Sequence, residues 1–400
     1  MKSIRELYKI GNGPSSSHTM GPKNATLIFN ERFKNADYAK VILYGSLALT
    51  GKGHLTDKVI DDTIFVNHDI VFNYLDVPPH PNTLDYIAYK NNEIIGQMRV
   101  YSVGGGAIKI EGEDEVSIND IYPHQSLFTI KEYCKNNNLS LAEYVYRFED
   151  SSFKDYLKNI FNQMLSTIDT GLYKDGILQG KLMIKRKAKM LFNKKIVENV
   201  DDLKIRHLYS YAYAVAEENA DGGIIVTAPT CGSCGVIPAV LRYSLEYDKI
   251  SVDEAINGLA VAGLIGNLVK HNASISGAEA GCQAEIGTAC AMAAAYYSYI
   301  KGANINHIEQ SAEIALEHHL GLTCDPIMGY VQIPCIERNA VAAMRAINAY
   351  KLSSLLESND SKISFDLVVK TMLETGRDIE NKYRETSKGG LAKLFKGDNF

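Results

Sequence analysis

The 400-residue chain has few cysteines, little excess charge of either sign and no long apolar run. Its seven cysteines are an odd number and too sparse for a disulfide scaffold, which favours reduced thiols in a cytoplasm. The 42 Lys and Arg residues against 47 Asp and Glu give a net charge of −5, so neither nucleic acid nor a membrane is an expected partner. A small molecule is the favoured ligand.

Two further absences concern targeting and membranes. The opening residues, MKSIRELYKIGNG, mix charged with apolar side chains, so we expect no secretory signal. The most apolar stretch, 259–269, is interrupted by glycines and is well below the roughly 20 residues that span a bilayer. This stretch predicts a buried helix in a protein that does not cross a membrane.

The sequence pattern changes along the chain. From about residue 38 to 130, short apolar or alternating runs are bounded by Gly, Pro, Asn or Asp, which is typical of strands joined by turns. Beyond about residue 141 the pattern becomes helical, with Lys and Glu on the polar face. A chain of this length suggests two or three domains, and we expect an α+β fold. Its expected parts are a mixed α/β domain at 1–145, a helical linker at 146–180 and a mostly α-helical domain at 181–400.

Several helices of the second half have readable boundaries. Ser251 and Glu254 form a capping box before an apolar run, so a helix is expected to begin there. Further helices are expected at 288–300, 306–319 and 336–357. The lysine-rich segment 180–195 could form a phosphate-binding stripe, but apolar residues interleave with its charges, and we favour a solvated amphipathic helix.

Six of the seven cysteines lie between residues 231 and 335, which points to a site. Cys282, Cys324 and Cys335 each adjoin a Gly, a Pro or a polar turn residue, so their sulfurs could face a cleft. Their separations of 42 and 11 residues exclude a local hairpin, and any of them could equally be a buried packing thiol. Cys290 stands in an apolar, small-residue helix, where packing is the better interpretation.

Cys231 and Cys234 form a C-G-S-C sequence, which follows a strand-like run. The two thiols could be a redox pair or metal ligands. The glycines that follow the strand would equally suit an anion held by bare backbone at a helix start. The residues alone leave these alternatives open.

Two histidines are candidates for acid–base chemistry. PSSSHTMGP places three serines, His18 and a threonine between Gly-Pro breaks, where hydroxyls and amides could cap a helix or bind a carboxylate. A loop histidine such as His18 is more often simply solvated. His54 follows another strand-like run, and neighbouring Thr56 and Asp57 could orient its imidazole.

Seven motifs extend almost from end to end of the chain: PSSSHTMGP, GSLALTGKGHLTD, YSVGGGAI, TAPTxGxxGVIPAV, HNASISGAEAGCQAEIG, LGLTCDPIMGYVQIPCIERNA and YRETSKGGLAK. In this order they resemble the iron–sulfur-dependent L-serine dehydratases, or L-serine ammonia-lyases, in their single-chain form. The resemblance implies conversion of L-serine to pyruvate and ammonia. It also implies an N-terminal α/β domain, a C-terminal helical catalytic domain and a homodimer.

For the cysteines, the resemblance implies a four-iron, four-sulfur (4Fe-4S) cluster held by Cys282, Cys324 and Cys335. Three protein ligands leave one iron open to act as a Lewis acid. The resemblance also favours His54 as the base, because the family's GKGH segment lies near the cluster, with His18 as second candidate. The remaining residues expected to bind substrate are Ser15, Ser16, Ser17, Thr19, Asn272, Ser274, Ser276 and Gly277.

The chain departs from the family pattern at two places. It ends Gly397-Asp398-Asn399-Phe400, so its tail is not expected to supply the terminal thiolate with which some members close the open iron. Many members are expected to carry Asn and Ala where this chain has Cys231 and Cys234. One hypothesis is that one of this pair protects or temporarily ligates the open iron, and the alternative is ordinary packing.

Two other functions remain as alternatives at this level. A thiol–disulfide or zinc protein centred on Cys231 and Cys234 would contain zinc or a redox-active disulfide in place of iron. A non-catalytic amino-acid-binding regulator would bind serine and release no pyruvate. Selectivity for serine over threonine is not readable, because one methyl group changes binding by only about 1–3 kcal/mol.

Overall fold

The computed structural model describes residues 1–114, 119–357, 361–384 and 388–395. The chain divides into two compact units, which we call the sheet unit, Gly11–Ser117, and the helical unit, Met1–Ile10 with Ile118–Phe400. Strands dominate the first and helices the second, so the expected α+β class is confirmed. The terminal residues Gly397 to Phe400 lie outside the described residues.

The sheet unit is a five-stranded mixed sheet with three helices. After β1 (Ile10–Asn12) at the junction of the two units, its elements are α1 (Gly21–Arg32), β2 (Tyr38–Tyr44), α2 (Gly45–Thr50), α3 (Thr56–Asp61), β3 (Asn67–Asn73), β4 (Thr83–Lys90), β5 (Glu93–Gly104) and β6 (Ala107–Ile110). The strand order is β3-β2-β4-β5-β6. Only β2 and β3 are parallel among these pairs, and the others are antiparallel.

The period-two pattern of β2 explains its central place in the sheet. Ala39, Val41 and Leu43 are fully buried on one face, where they pack with α1 and the facing residues of β4. Because β2 and β3 are parallel, the chain needs a crossover between them, and α2 and α3 form it. The segment that carries His54 therefore lies in this crossover, after the carboxyl end of a buried strand.

The helical unit contains thirteen α-helices and one short strand in its described part. They are α4 (Leu127–Asn137), α5 (Leu141–Phe148), α6 (Phe153–Tyr173), α7 (Ala188–Asn193), α8 (Val200–Ala220), β7 (Ile224–Val226), α9 (Val236–Tyr243), α10 (Val252–Asn272), α11 (Gly277–Ala280), α12 (Thr288–Ile300), α13 (Ile305–Glu317), α14 (Cys335–Ser353), α15 (Phe365–Asp378) and α16 (Gly390–Leu394). Helix α12 packs against α10, α13 and α14. Its many buried alanines let these neighbours approach closely, which makes α12 the centre of the core.

The helix predictions are mostly confirmed. Ser251 and Glu254 make the reciprocal hydrogen bonds of a capping box at the start of α10, and α12 has the predicted bounds. Helices α13 and α14 each begin one residue before the expected position and end two and four residues before it, respectively. Among the described helices, α10 has the length and composition of a possible membrane span, but 78% of its apolar window is buried within the protein, as expected of a core helix.

The prediction of an amphipathic helix at 180–195 is wrong for most of that segment, because only α7 is helical. Arg186 is buried and forms ion pairs with Glu218 and Asp221. The backbone before α7 consists of turns and irregular structure, with Met183 at positive φ. The amides of Lys187 and Ala188 donate to the Glu217 carboxylate. A buried arginine thus stands where a solvated charge was expected.

Candidate functional site

The serine-rich motif of the sheet unit forms a helical turn, Ser16–Met20, which leads into α1. The Ser15 hydroxyl accepts from the amide of His18 at 3.2 Å, so the predicted capping role is confirmed. Two buried threonines then connect this turn to the crossover segment. Thr19 Oγ1 donates to the carbonyl of His54 at 2.8 Å, and Thr56 Oγ1 donates to the carbonyl of His18 at 2.5 Å.

These contacts place the two predicted histidines side by side. The ring centroids of His18 and His54 are 4.6 Å apart, and the side chains are almost fully buried. Both nitrogens of His18 are hydrogen bonded to hydroxyls at 2.9 Å: Nδ1 to Ser17 Oγ and Nε2 to Ser46 Oγ. Ser46 was missed at the sequence level, although it stands in the recognised GSLALT motif.

The imidazole of His54 is held in one tautomer. Its Nδ1 lies 3.1 Å from the carbonyl oxygen of Thr50, which can only accept, so Nδ1 carries the hydrogen of the neutral ring. The lone pair is then on Nε2, for which the described residues provide no hydrogen-bond partner. An imidazole with a free lone pair on one nitrogen can accept a proton.

Burial keeps both rings neutral. It lowers the pKa of His18 well below the ordinary value, and the neighbouring His54 lowers it further. Burial also lowers the pKa of His54, against the opposing effect of its hydrogen bond to Thr50. Near neutral pH both rings are therefore uncharged, and of the two only His54 has a nitrogen with a free lone pair among the described contacts.

A glycine turn, Gly104 to Gly106, supports the serine-rich turn from the edge of the sheet. All three glycines have positive φ, which the YSVGGGAI motif accommodates without strain. The Gly105 amide donates to Ser16 Oγ at 3.2 Å. The structure thus brings together, within the sheet unit, His18, His54 and all four hydroxyl residues that the sequence predicted: Ser15, Ser16, Ser17 and Thr19.

In the helical unit, two of the motifs bring three cysteines close to one cation. The side chains of Cys282 and Cys324 are hydrogen bonded, and Arg338 donates to Cys282 while interacting electrostatically with Cys324 and Cys335. Cys282 and Cys324 are 3% and 5% exposed, and Cys335, at the start of α14, is partly exposed. Three thiols that are distant in sequence are thus neighbours of a single guanidinium.

The groups around Cys282 make its thiol more acidic. Its hydrogen bond with Cys324 lowers the pKa of the Cys282 thiol, and the nearby Arg338 lowers it further, although burial acts in the opposite direction. Arg338 was missed at the sequence level. The signal was its position one turn after Cys335 in the IERNA motif, but only the tertiary structure shows that it reaches Cys282 as well.

Glu285 is a second charged residue beside these cysteines that sequence reasoning missed. Its carboxylate is hydrogen bonded to the side chain of Thr230 and interacts with Arg338, and burial raises its pKa. A Cβ on Gly277 would lie 2.6 Å from Glu285 Oε2 and 3.2 Å from Cys324 Sγ. Gly277, predicted to line the site, is therefore the residue that leaves room for this carboxylate and thiol.

The other predicted residues of the helical unit mainly serve their own loop. Ser274 Oγ donates to Glu279 at 2.7 Å and accepts from the Ser276 amide at 3.0 Å. Asn272 is exposed, and its amide donates to the carbonyls of Gln125 and Leu268. Their predicted contact with substrate stays a prediction.

The remaining cysteines fall into two groups. Cys290 is fully buried in α12 and its thiol donates to the carbonyl of Ala342 at 3.3 Å, which confirms its packing role. Cys231 and Cys234 are also buried and not disulfide bonded. Cys231 interacts electrostatically with Glu285, which is also a neighbour of Cys282. The hypothesis that this pair protects an open iron stays a prediction.

The donor chemistry of the three cysteines fits an iron–sulfur cluster. In the described part of the chain, no group of three or more His, Cys, Asp or Glu side chains is arranged to hold a single metal ion. A four-iron cluster takes one thiolate per iron, so its ligands need not converge on one point. Three thiols beside a guanidinium that can offset their negative charge suit such a group.

Both units match one family. Residues 92–392 match the model of the serine dehydratase alpha chain, and residues 3–62 match that of the serine dehydratase beta chain. The chain belongs to the serine dehydratase family, with alpha-type and beta-type sequences in one polypeptide. Serine dehydratases are enzymes, so this assignment decides against the non-catalytic regulator and against a thiol–disulfide function centred on Cys231 and Cys234.

Curated relatives match nearly the whole chain. L-serine dehydratase 2 of Escherichia coli strain K12 is 38% identical, and the match covers 98% of this chain and 98% of the relative. L-serine dehydratases of Helicobacter pylori strain 26695 and of Haemophilus influenzae are 40% and 37% identical, each covering 98% of this chain and 99% of the relative.

Proposed function

We propose that this chain eliminates water from L-serine and thereby yields pyruvate and ammonia. The observation that carries the proposal is the match of 98% of the chain to relatives named L-serine dehydratase. The neutral histidine pair of the sheet unit and the three cysteines of the helical unit supply the two kinds of group that such an elimination requires.

The chemistry of serine defines these requirements. Hydroxide is a poor leaving group and the proton on Cα is weakly acidic, so the hydroxyl needs an acid while Cα needs a base. We assign the base to Nε2 of His54, because the Thr50 carbonyl holds the proton on Nδ1 and burial keeps the ring neutral. Loss of water gives aminoacrylate, which tautomerises to an imine and hydrolyses to pyruvate and ammonia.

The acid in this proposal is a 4Fe-4S cluster held by Cys282, Cys324 and Cys335. When bound, the cluster would supply a Lewis-acidic iron that no protein side chain ligates and that would activate the hydroxyl as a leaving group. The interaction of all three cysteines with Arg338 supports this ligand set, because the cation offsets the negative charge of thiolates.

The polar residues predicted from the sequence would bind and orient the substrate. Hydroxyls and amides of the Ser16–Met20 turn suit the serine carboxylate, with Ser15, Ser17 and Thr19 fixed by their own hydrogen bonds. His18 orients this turn and does not serve as the base, since hydroxyls occupy both of its nitrogens. Residues 272–277 would contribute Asn272, Ser274, Ser276 and Gly277.

The same proposal includes the compartment, the oligomeric state and the binding partners of the enzyme. We expect a cytoplasmic homodimer that acts on a small molecule and binds neither nucleic acid nor a membrane. None of the seven cysteines is disulfide bonded, and the low cysteine content supports a reducing compartment. Size-exclusion chromatography with light scattering tests the dimer.

The test is product formation by protein that is purified and reconstituted with iron and sulfide without oxygen. L-serine should release pyruvate and ammonia in equal amounts, whereas D-serine should not react. L-threonine should react more slowly, by about 10-fold to 200-fold if one methyl group is excluded from the pocket. Serine binding without pyruvate release would overturn the proposal.

A further inference from the structure

The side chain of Arg338 connects the three segments of the helical unit that carry the predicted cluster ligands Cys282, Cys324 and Cys335. It shares helix α14 with Cys335, one turn later, and its guanidinium donates to Cys282. Nη1 also donates to the carbonyl of Thr323, the residue before Cys324, at 2.7 Å. One side chain therefore makes contact with, or belongs to, each segment that supplies a predicted ligand.

The carboxylates near Arg338 do not by themselves balance the charge of its guanidinium. Its side chain is 17% exposed, and a largely buried guanidinium requires anionic or hydrogen-bonding partners. The nearest ion pair, Nη2 to Asp325 Oδ1, is long at 3.6 Å. Both nearby carboxylates also have other hydrogen-bond partners. Asp325 accepts from the Leu391 amide at 2.7 Å, and Glu285 is hydrogen bonded to the Thr230 side chain. The sulfurs are thus major partners of this cation.

We propose that Arg338 is a positioning residue of the cysteine site, which holds Cys282 and the Cys324 loop in place and offsets the negative charge of a bound iron–sulfur cluster. The inference rests on the proposed function, because it presumes that the three thiolates hold such a cluster. Arginine suits the role because its planar fork donates in several fixed directions while keeping its charge. Lysine would keep the charge but could not make both bonds with the same geometry.

The experiment compares Arg338→Gln and Arg338→Lys with Arg345→Gln as a matched control. Arg345 lies two turns further along α14, is exposed, and donates to the His318 carbonyl without contact to the three cysteines. Each protein is reconstituted anaerobically. The measurements are iron and sulfide per chain, the rate of iron loss to a chelator, and the reduction potential of the cluster.

We expect Arg338→Gln to lose iron about 10-fold to 100-fold faster than wild type, which is the usual range for losing a partner of a metal ligand. Its reduction potential should become more negative, because a positive charge beside the cluster favours the reduced state. Arg338→Lys should restore most of the potential and only part of the iron retention. Arg345→Gln should behave as wild type.

The outcomes separate the two proposals. If wild type assembles the cluster and Arg338→Gln matches it in iron loss and potential, Arg338 has no positioning role. A wild-type protein that assembles no cluster would overturn the cofactor assignment itself, and the inference with it. Circular dichroism of the cluster-free variants controls for folding, and a potential shifted by glutamine but restored by lysine cannot arise from misfolding.

Discussion

The sheet unit and the helical unit build their candidate sites in opposite electrostatic ways. In the sheet unit, hydroxyls and carbonyls surround His18 and His54, and burial keeps both imidazoles uncharged. In the helical unit, thiols surround the permanent cation of Arg338. The first arrangement is suited to accepting a proton and the second to holding negative charge. Under the proposed function, the first would provide the base and the second would hold the cofactor that provides the Lewis acid.

The largest expected effect comes from removing a predicted cluster ligand of the helical unit. Cys282→Ser should abolish turnover, by about 10⁴-fold or more, because a Lewis-acid metal contributes several kcal/mol to such a reaction. The measurement is pyruvate release by anaerobically reconstituted protein. Cys290→Ala is the control, since that thiol is buried in α12 and donates to the Ala342 carbonyl, so its loss should leave iron content unchanged. Normal turnover of Cys282→Ser would contradict the ligand assignment.

The next largest effect comes from removing the predicted base of the sheet unit. His54→Ala should lower kcat by about 10³-fold, within the range for loss of a general base, while iron and sulfide per chain stay at the wild-type level. His68→Gln is the matched control, because His68 also bonds a backbone carbonyl, that of Val66, but stands on a strand of the sheet unit. If His54→Ala keeps near-normal turnover with an intact cluster, His54 is not the base.

A pair of glycines tests how tightly the carboxylate of Glu285 is packed. Gly277→Ala should cost about 1–3 kcal/mol in the free energy of unfolding, because its Cβ would lie 2.6 Å from Glu285 Oε2. Gly232→Ala should change this free energy by less than about 0.5 kcal/mol, since its Cβ would stand at an ordinary 3.5 Å from the same carboxylate. Denaturant titration measures both. Equal effects would mean that Gly277 does not make room for Glu285.

The smallest effect concerns pH. Burial lowers the pKa of His54, so the free imidazole stays neutral at pH values below the ordinary 6.5, and only stronger acid protonates it. The acid limb of kcat/KM should therefore be centred below pH 6.5, with full activity retained at neutral pH. A pH profile from 5 to 8 measures the limb. A limb centred above pH 6.5 would contradict the neutral, buried base.

Sequence patterns predicted the local features well. The capping box of Ser251, the bounds of α12 and the capping by Ser15 depend on residues a few positions apart, and all three are confirmed. The failure at 180–195 has a tertiary cause. Arg186 pairs with Glu218 and Asp221, more than 30 residues away, and no helical periodicity in the segment could reveal those partners.

The site was predictable in its residues but not in its connections. Motifs identified the histidines and cysteines, whereas Ser46 and Arg338 became visible only through contacts with residues distant in sequence. Ser46 is 28 residues from His18, and helices α12 and α13 separate Arg338 from Cys282. Spacing could not show that Cys282 and Cys324 are neighbours. Their convergence depends on how α11, α14 and the intervening loops pack.

The most direct test of the central claim is the iron and acid-labile sulfide content of wild type beside the triple variant Cys282→Ser, Cys324→Ser, Cys335→Ser. Both proteins would be reconstituted without oxygen and freed of unbound metal. Wild type should be brown and hold about four irons and four sulfides per chain, and the triple variant should be colourless and hold almost none. Equal iron and sulfide in the two proteins would contradict the claim.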